Sequence, residues 1–201
     1  MLYIRGTGVI GEGVESKIIE LGFEVERIGG VDRYDTNDKT NSKLDDFSTI
    51  IVVNGESFAD ALSISSISAI KDYPIVLVSK DNIRESSVKY IEKANKVFVI
   101  GGTGVVSNSV VNRIKSINEN IDIIRIGGGD RYDTSKKIAE YFKDEFNDYV
   151  IVANGLNFPD ALSGVCLAKE KKAPILLTAN ENIDIYYKGY INEKMYPRLI
   201  Y

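Results

Sequence analysis

Histidine and tryptophan are both absent from the 201 residues of this chain, and only one cysteine is present. Without an imidazole, the Ser-His-Asp and Cys-His mechanisms lack the group that carries their proton. The common zinc sites also lack their ligands, since these sites need imidazole or several thiolates. The sequence therefore predicts no metal site, no cofactor and no catalytic residue of these types.

The single cysteine, Cys166, lies in an apolar pattern with Ala161, Leu162 and Val165. This pattern favours a core thiol over a reactive one. One cysteine cannot form an internal disulfide, so we expect stability to come from packing, as also occurs in extracellular bacterial proteins.

Long apolar runs are missing too, and no stretch approaches the roughly 18 residues that would span a bilayer. The first six residues lack a basic leader and an apolar segment with a small-residue cleavage site, so we expect no signal peptide in this sequence. The net charge of −4 and the pI near 5.1 argue against nucleic acid as a partner. Contact with an anionic polymer would need local arginines rather than the overall field.

The strongest positive signal is an internal repeat with a period of about 100 residues. The segment Arg-Ile-Gly-Gly-Val-Asp-Arg-Tyr-Asp-Thr recurs with nine of its ten residues unchanged. The recurring segments are 27–36 with 125–134, 51–55 with 151–155, 58–63 with 158–163, and 74–77 with 174–177.

A further segment, residues 97–106, matches residues 2–10 at the start of the chain. We therefore divide the sequence into the end of a preceding repeat (1–26), a complete repeat (27–122) and a second repeat without its final glycine-rich strand and helix (123–201). Our hypothesis is that the first part supplies the missing strand and helix to the last, within one chain or by exchange between chains. The alternative is a truncated product whose open sheet edge would invite association.

Strand and helix patterns alternate throughout. The predicted strands are 25–28, 50–53, 75–78 and 97–100, and the predicted helices follow Thr36, start near residue 59 and cover 83–94. The strands are short, β-branched and apolar on both faces, which is typical of parallel sheets covered by helices on both sides. We expect Thr134 and Ser107 to be helix caps and Pro159 to lie in a first helical turn.

Residues 101–104, Gly-Gly-Thr-Gly, follow a strand and precede a helix, where a phosphate could meet exposed backbone N–H groups. The segment lacks both the Walker lysine and the spacing of the dinucleotide fingerprint. Tight turn geometry is therefore the favoured explanation of these glycines.

The motif at 32–36 and its copy lie just beyond a strand's carboxyl end, the usual ligand edge of an open α/β sheet. Arginine could hold a phosphate or carboxylate there, and tyrosine could stack on a sugar. The alternative is an Arg–Asp pair that fixes the turn against a neighbouring repeat, with Thr36 as the cap. The candidates for polymer binding or repeat packing are Arg33, Tyr34, Asp35, Arg131, Tyr132 and Asp133.

Four further candidates lie at equivalent positions. Asn54 and Asn154 end strands, while Asp60 and Asp160 begin the following helices, where a carboxylate complements the helix dipole. A metal-dependent enzyme would use such acids, but here they are scattered singly without a ligand spacing.

Together these motifs resemble the cell wall binding repeat 2 family of Gram-positive surface proteins. The resemblance implies a Rossmann-like α/β unit, usually present as three tandem copies in a pseudo-threefold array. It also implies a cell-wall location and non-covalent anchoring to anionic wall polysaccharide, with catalysis confined to separate domains. The family's apolar anchoring motif corresponds to Ile175, Leu176 and Leu177 and, in weaker form, to residues 75–77.

The first hypothesis is therefore a non-catalytic wall-polymer-binding module that also contacts other repeats, including by self-association. The second is a small Rossmann-like nucleotide- or phosphate-binding enzyme using the glycine turns and Asp60 or Asp160. The third is a scaffold that only assembles with other repeats. Repetition favours the first, because a polymer binder gains avidity from repeated sites.

Overall fold

The computed structural model describes residues 2–4, 6, 8–157, 159–179 and 198–200, with residues 2–4, 160 and 198–200 described by their backbone alone. The chain forms two compact units, residues 1–46 and 47–201. Within the described ranges, no helix combines the length and apolar character needed to span a bilayer.

The first unit contains two strands and two helices: β1 (Leu2–Ile4), α1 (Glu12–Glu20), β2 (Glu26–Ile28) and α2 (Arg33–Asn41). Strands β1 and β2 pair in parallel, with Leu2 opposite Glu26 and Ile4 opposite Ile28. The hypothesis that residues 1–26 supply a strand to residues 123–201 of the same chain is therefore wrong. The strand pairs inside its own unit instead.

The second unit continues the alternation of strand and helix. Its elements are β3 (Thr49–Asn54), α3 (Phe58–Lys71), β4 (Ile75–Val78), α4 (Glu85–Lys93), β5 (Lys96–Ile100), α5 (Asn108–Ile117), β6 (Asp122–Ile126), α6 (Arg131–Tyr141), a short 3₁₀ turn (Lys143–Glu145), β7 (Tyr149–Asn154), α7 (Pro159–Lys171), β8 (Ile175–Thr178) and β9 (Arg198–Ile200). The four predicted strands of the first copy lie within two residues of β2, β3, β4 and β5.

The pairings described between strands β3 to β9 are all parallel. The first sheet of the second unit has the order β4-β3-β5-β6, and its second sheet has the order β8-β7-β9. All six residues of β3 are buried, as expected of a strand covered on both faces. One buried cluster joins the sheet to α4 and α5, and another joins its opposite face to α3 and α6. The expected α/β class, with helices on both faces of parallel sheets, is confirmed.

The two sheets of this unit meet through α3, which packs against α7, α6 and β8. Strand β6 and helix α6 open the second sequence copy, yet β6 pairs with β5 of the first. The boundaries of the sequence copies therefore do not coincide with those of the sheets. The repeat limits 1–26, 27–122 and 123–201 stay a prediction. Strand β9 pairs with β7 as β5 pairs with β3.

Two of the predicted helix starts are confirmed. The hydroxyl of Ser107 accepts from the N–H of Ser109 at the start of α5, and Pro159 is the first residue of α7. The prediction for Thr134 is wrong, as is that for Thr36, because the N-caps of α6 and α2 are aspartates four residues earlier.

The expectation of a buried thiol is also wrong, since Cys166 is exposed. Helix α7 turns Ala161 and Ala168 toward the core, with Val165 partly buried beside them. Cys166 therefore lies on another side of the helix. Its apolar neighbours in sequence were a poor guide, because a helix separates adjacent residues by about 100°.

Candidate functional site

The repeated motif begins helix α6 with a network of hydrogen bonds to two aspartates. The carboxylate of Asp130 accepts from the N–H groups of Tyr132 (2.9 Å) and Asp133 (2.8 Å). The carboxylate of Asp133 accepts from the N–H of Gly129 at 2.9 Å and pairs with Lys137 at 2.9 Å. Lys137 and the Gly129 N–H hold the pKa of Asp133 below its ordinary value.

Helix α2 repeats this arrangement in the first unit. Asp32 accepts from the N–H of Asp35 at 2.9 Å, and Asp35 accepts from the N–H of Val31 at 2.9 Å. Lys39 pairs with Asp35 at 3.1 Å. The Val31 N–H and Lys39 together lower the pKa of Asp35. Asp35 and Asp133, the two aspartates named from the sequence, therefore each stabilise the turn before a helix and the start of that helix.

The threonine of the motif braces the same turn. Thr134 accepts from the N–H of Gly128 at 3.0 Å, as Thr36 does from Gly30 at 2.9 Å. A Cβ at Gly128 would lie 2.5 Å from a carboxylate oxygen of Asp133. Only glycine allows the helix start to approach the strand end this closely.

Arg131 is the first residue of α6, and its side chain contacts the loop after β7 of the second sheet. Its guanidinium donates to the carbonyl of Gly155 at 2.6 Å, and its Cζ is 5.8 Å from the ring centroid of Phe58. Tyr132 is partly buried against two apolar clusters. These contacts join α3, α6 and the loop after β7, which is repeat packing. Arg33, the equivalent of Arg131, is exposed in the first unit.

Asp60 lies at the start of α3, close enough to Arg131 for the two charges to interact. It is only 5% exposed, and its burial raises its pKa while the charge of Arg131 lowers it. A Cβ at Gly101 would lie 2.7 Å from an Asp60 carboxylate oxygen, and Gly101 has φ +104°. Gly101 is therefore required both by its backbone and by the close carboxylate. The side chain of Asp160 lies outside the described residues.

The crevice between β3 and β5, where the strand order reverses, is the usual ligand position in an open α/β sheet. Here Asn54 bridges it, donating to the carbonyl of Val105 at 2.7 Å and accepting from the N–H of Glu56 at 2.6 Å. Asn154 accepts from the N–H of Leu156 at 2.8 Å. Both asparagines fasten the loop after their strand.

The glycine-rich turn after β5 closes on itself. The N–H groups of Val105 and Val106 both donate to the carbonyl of Gly102 at 3.0 Å. Helix α5 starts only at Asn108 and is capped by Ser107. The glycines therefore do not present a helix N-terminus to a phosphate, and the geometry favours the turn over the nucleotide-binding alternative.

The apolar motif of β8 lies in the core. Ile175, Leu176 and Leu177 are each at most 1% exposed. Ile175 and Leu177 share a cluster with Leu62 of α3, and Leu176 packs with Ala139 of α6. These side chains join the two sheets and present no surface to a polymer.

The structure also shows a surface cavity that the sequence analysis missed. It has a volume of about 410 Å³ and lies between β6 and α6, lined by Arg125, Ile126, Gly127, Lys137, Glu140 and Tyr141. Two of its lining residues could have been noticed in the sequence, since Arg125 and Lys137 correspond to Arg27 and Lys39 in the other copy. Tyr141 corresponds to Lys43, so comparing the copies could not reveal the aromatic ring.

Arg125, the arginine of this cavity, is only partly satisfied. One of its terminal nitrogens donates to the carbonyls of Gly101 and Val106, both at 2.8 Å. Its other terminal nitrogen is buried and has no hydrogen-bond partner among the described residues. This burial lowers the pKa of Arg125.

Its counterpart Arg27 also holds a loop carbonyl, that of Ile10 at 2.8 Å. It donates twice more, to the carboxylate of Glu15 at 3.1 and 2.8 Å. Val111 occupies the position of Glu15 in the other copy. The copies therefore share the bond to the loop and differ in the carboxylate.

Within the described ranges, no group of three or more acidic or cysteine side chains is placed to hold a metal ion.

The chain is similar to two proteins of Bacillus subtilis over nearly its whole length. It is 30% identical over 196 residues to N-acetylmuramoyl-L-alanine amidase LytC of Bacillus subtilis, covering 96% of this chain and 38% of that protein. It is 31% identical over 194 residues to the Amidase enhancer of the same organism, covering 96% of this chain and 26% of that one. The chain thus spans well under half the length of these relatives.

Two solved structures share the fold. Cwp8 from Clostridium difficile aligns with a TM-score of 0.79 at 28% identity, covering 90% of this chain and 32% of that one. Cwp6 from Clostridium difficile aligns with a TM-score of 0.76 at 31% identity, covering 83% and 27%. The sequence profile of Cell wall binding domain 2 matches residues 27–111 and 125–201. These matches cover most of the chain, which therefore belongs to the Cell wall binding domain 2 family and is a tandem-repeat module of the cell wall.

Proposed function

We propose that the chain is a non-catalytic module that attaches to the anionic polysaccharide of the Gram-positive wall. The family match over both sequence copies is the observation that carries this proposal. The alignment with LytC leaves most of that amidase outside the matched part. We take the matched part to be the wall-binding portion of the enzyme, so its amidase activity is not transferred to this chain.

The geometry supports a binding role over an enzymatic one. The repeated aspartates cap helices, Asn54 closes the crevice at the strand reversal, and the glycine turn is separated from its helix. The repeated polar residues of the motif are thus used for local structure. A small nucleotide-binding enzyme would need at least one of these features to be open to a ligand.

The polymer contact has to be local, because the chain as a whole carries a charge of −4. Arg33 remains a candidate, since its side chain is exposed. Arg131 and Tyr132 are better explained by repeat packing, and so are Ile175, Leu176 and Leu177. Arg33 therefore offers the cleanest test among the residues named from the sequence.

Calorimetric titration of the purified chain tests the proposal. The chain is titrated with anionic polysaccharide released from isolated walls and, separately, with peptidoglycan freed of that polysaccharide. We expect saturable binding to the first and none to the second, and weaker binding for Arg33→Ala. The exposed residue Lys115→Ala, on α5, is the charge-matched control. Binding to the stripped peptidoglycan alone would contradict the proposal.

We further propose that the chain self-associates through α7. In α3, the side facing the second sheet is buried, with Ala59 at 2%, Leu62 at 7% and Ser66 at 0% exposure. The equivalent residues of α7 are Pro159, Leu162 and Cys166, and all three are exposed. The partner of α3 is the surface formed by α6, α7 and β8. In a second copy this surface is covered by that copy's own α3, so the surface that meets α7 is the equivalent one of the first repeat, at β4, where Ile75 and Leu77 are only partly buried.

Analytical ultracentrifugation tests this second proposal. A bulky maleimide on Cys166 and the substitution Leu162→Lys should each shift the chain to monomers, because both add size or charge to an apolar contact. Leu156→Lys is the control, since Leu156 is equally exposed (54%) but lies outside the helix. A wild-type chain that stays monomeric at high concentration would overturn self-association without affecting polymer binding.

A further inference from the structure

The cavity between β6 and α6 combines three features that suit a sugar. Among the strands that the structure describes, β6 is at the edge of its sheet. The carbonyl of Ile126 accepts from the N–H of Gly101, the residue after β5, so the main-chain groups of the residues on either side of Ile126 point away from β5. Main-chain donors and acceptors therefore border the cavity, where they can bond to hydroxyl groups.

Tyr141 supplies a fixed aromatic surface beside this edge. Its ring is edge-to-face with Phe98 (centroids 5.7 Å apart, 72°) and with Phe142 (4.9 Å, 71°). The residue is nevertheless 50% exposed. A ring already held by packing loses little conformational freedom on binding, which favours stacking on the apolar face of a sugar.

The charge around the cavity is positive, in contrast to that of the whole chain. Three cations, Arg125, Lys136 and Lys137, stand against two carboxylates, Asp133 and Glu140. Two of the three N–H bonds of the Lys137 ammonium are directed to the carbonyl of Gly127 (3.3 Å) and to Asp133 (2.9 Å). The third can donate to an anionic group in the cavity.

We propose that this cavity binds one sugar residue carrying a phosphate or carboxylate, with the Tyr141 ring stacked on the sugar and Lys137 beside the anionic group. This inference rests on the proposed function and assigns it a subsite. The first unit has Lys39 at the position of Lys137, with Lys43 and Ser42 at the positions of Tyr141 and Glu140. It lacks the ring, so it provides a matched comparison inside the same chain.

Calorimetry with the released anionic polysaccharide tests the subsite on the full chain. Tyr141→Ala should weaken binding by about tenfold and Tyr141→Phe by less than about twofold, because stacking needs the ring and not its hydroxyl. Lys137→Gln should also weaken binding. Lys39→Gln is the control, because it removes the same contacts to an aspartate and a glycine carbonyl and should leave affinity unchanged. Wild-type affinity in Tyr141→Ala would overturn the subsite.

A second measurement keeps the subsite testable even if the chain does not bind wall polysaccharide. NMR spectra of the chain with labelled tyrosines are recorded with glucose 6-phosphate, and the Tyr141 signals are assigned from Tyr141→Phe. We expect these signals to shift with the sugar phosphate and to stay in place with inorganic phosphate alone. No shift at tens of millimolar sugar phosphate would overturn the subsite, whereas failure of the polysaccharide titration alone would overturn the proposed function.

Discussion

Helices α3 and α7 come from the same repeated segment but differ in what covers them. Leu62 of α3 is 7% exposed, whereas the equivalent Leu162 of α7 is 58% exposed. Helix α3 is covered by α6, α7 and β8, while within the described residues no element covers the equivalent side of α7. The following repeat, and not the helix sequence, therefore determines which side of the helix is buried.

The largest expected effect is a difference in the free energy of unfolding between alanine variants of the two leucines. Leu62→Ala should lower the free energy of unfolding by about 3 kcal/mol, because it leaves a cavity between α3 and the second sheet. Leu162→Ala should change it by less than about 0.5 kcal/mol. Urea unfolding of the two variants at low protein concentration checks this, and equal losses would show that the helices have the same surroundings.

The next largest effect is expected for the contacts of Arg131, which hold α3 against the second sheet. Arg131→Ala removes the hydrogen bond to Gly155 and the contact with Phe58, and should lower the free energy of unfolding by about 2 kcal/mol. Amide hydrogen exchange should then rise in α3 and β8 and stay unchanged in β1 and β2. A uniform rise of amide exchange over both units would contradict the role of Arg131 in holding α3 against the second sheet.

A smaller effect of opposite sign is expected at Ser66. Its hydroxyl is buried without a hydrogen-bond partner among the described residues. Ser66→Ala should therefore stabilise the chain by about 1 kcal/mol, while Cys166→Ala at the equivalent exposed position should leave stability unchanged. Thermal unfolding of both variants measures the difference. A clear loss in Ser66→Ala would show that this hydroxyl is bonded in solution.

The smallest effect is a pH dependence at Asp60. Burial raises its pKa in the folded chain, so its contribution to stability is fully present below the unfolded pKa and is lost as pH rises through the folded pKa. Asp60→Asn removes this titration, so the variant should gain in stability relative to wild type between about pH 4 and pH 7. Unfolding measured across that range checks the sign, and a relative decline would contradict it.

The sequence was sufficient to predict the alternating strands and helices, the parallel sheets and the family. These follow from local patterns, such as the β-branched run of β3, the cap at Ser107 and the helix start at Pro159. Asp32 and Asp130 were missed as caps because a threonine in the same motif is an equally acceptable cap by type. Only the structure shows that these threonines bond back to glycines instead.

The candidate site was harder to predict, because its residues act through tertiary contacts. The sequence could not show that Arg131 and Tyr132 pack between sheets, that Leu176 is buried by α6, or that Cys166 is exposed. Tyr141 was missed because its counterpart in the other copy, Lys43, is not aromatic, and repetition was the main guide to candidate residues.

Co-sedimentation measures attachment of the chain to the anionic polysaccharide of the wall directly. The purified chain is mixed with isolated Gram-positive walls before and after the anionic polysaccharide has been removed, and the bound fraction is measured. We expect saturable binding to the intact walls that falls to background on the stripped walls. Equal binding to both preparations would contradict it.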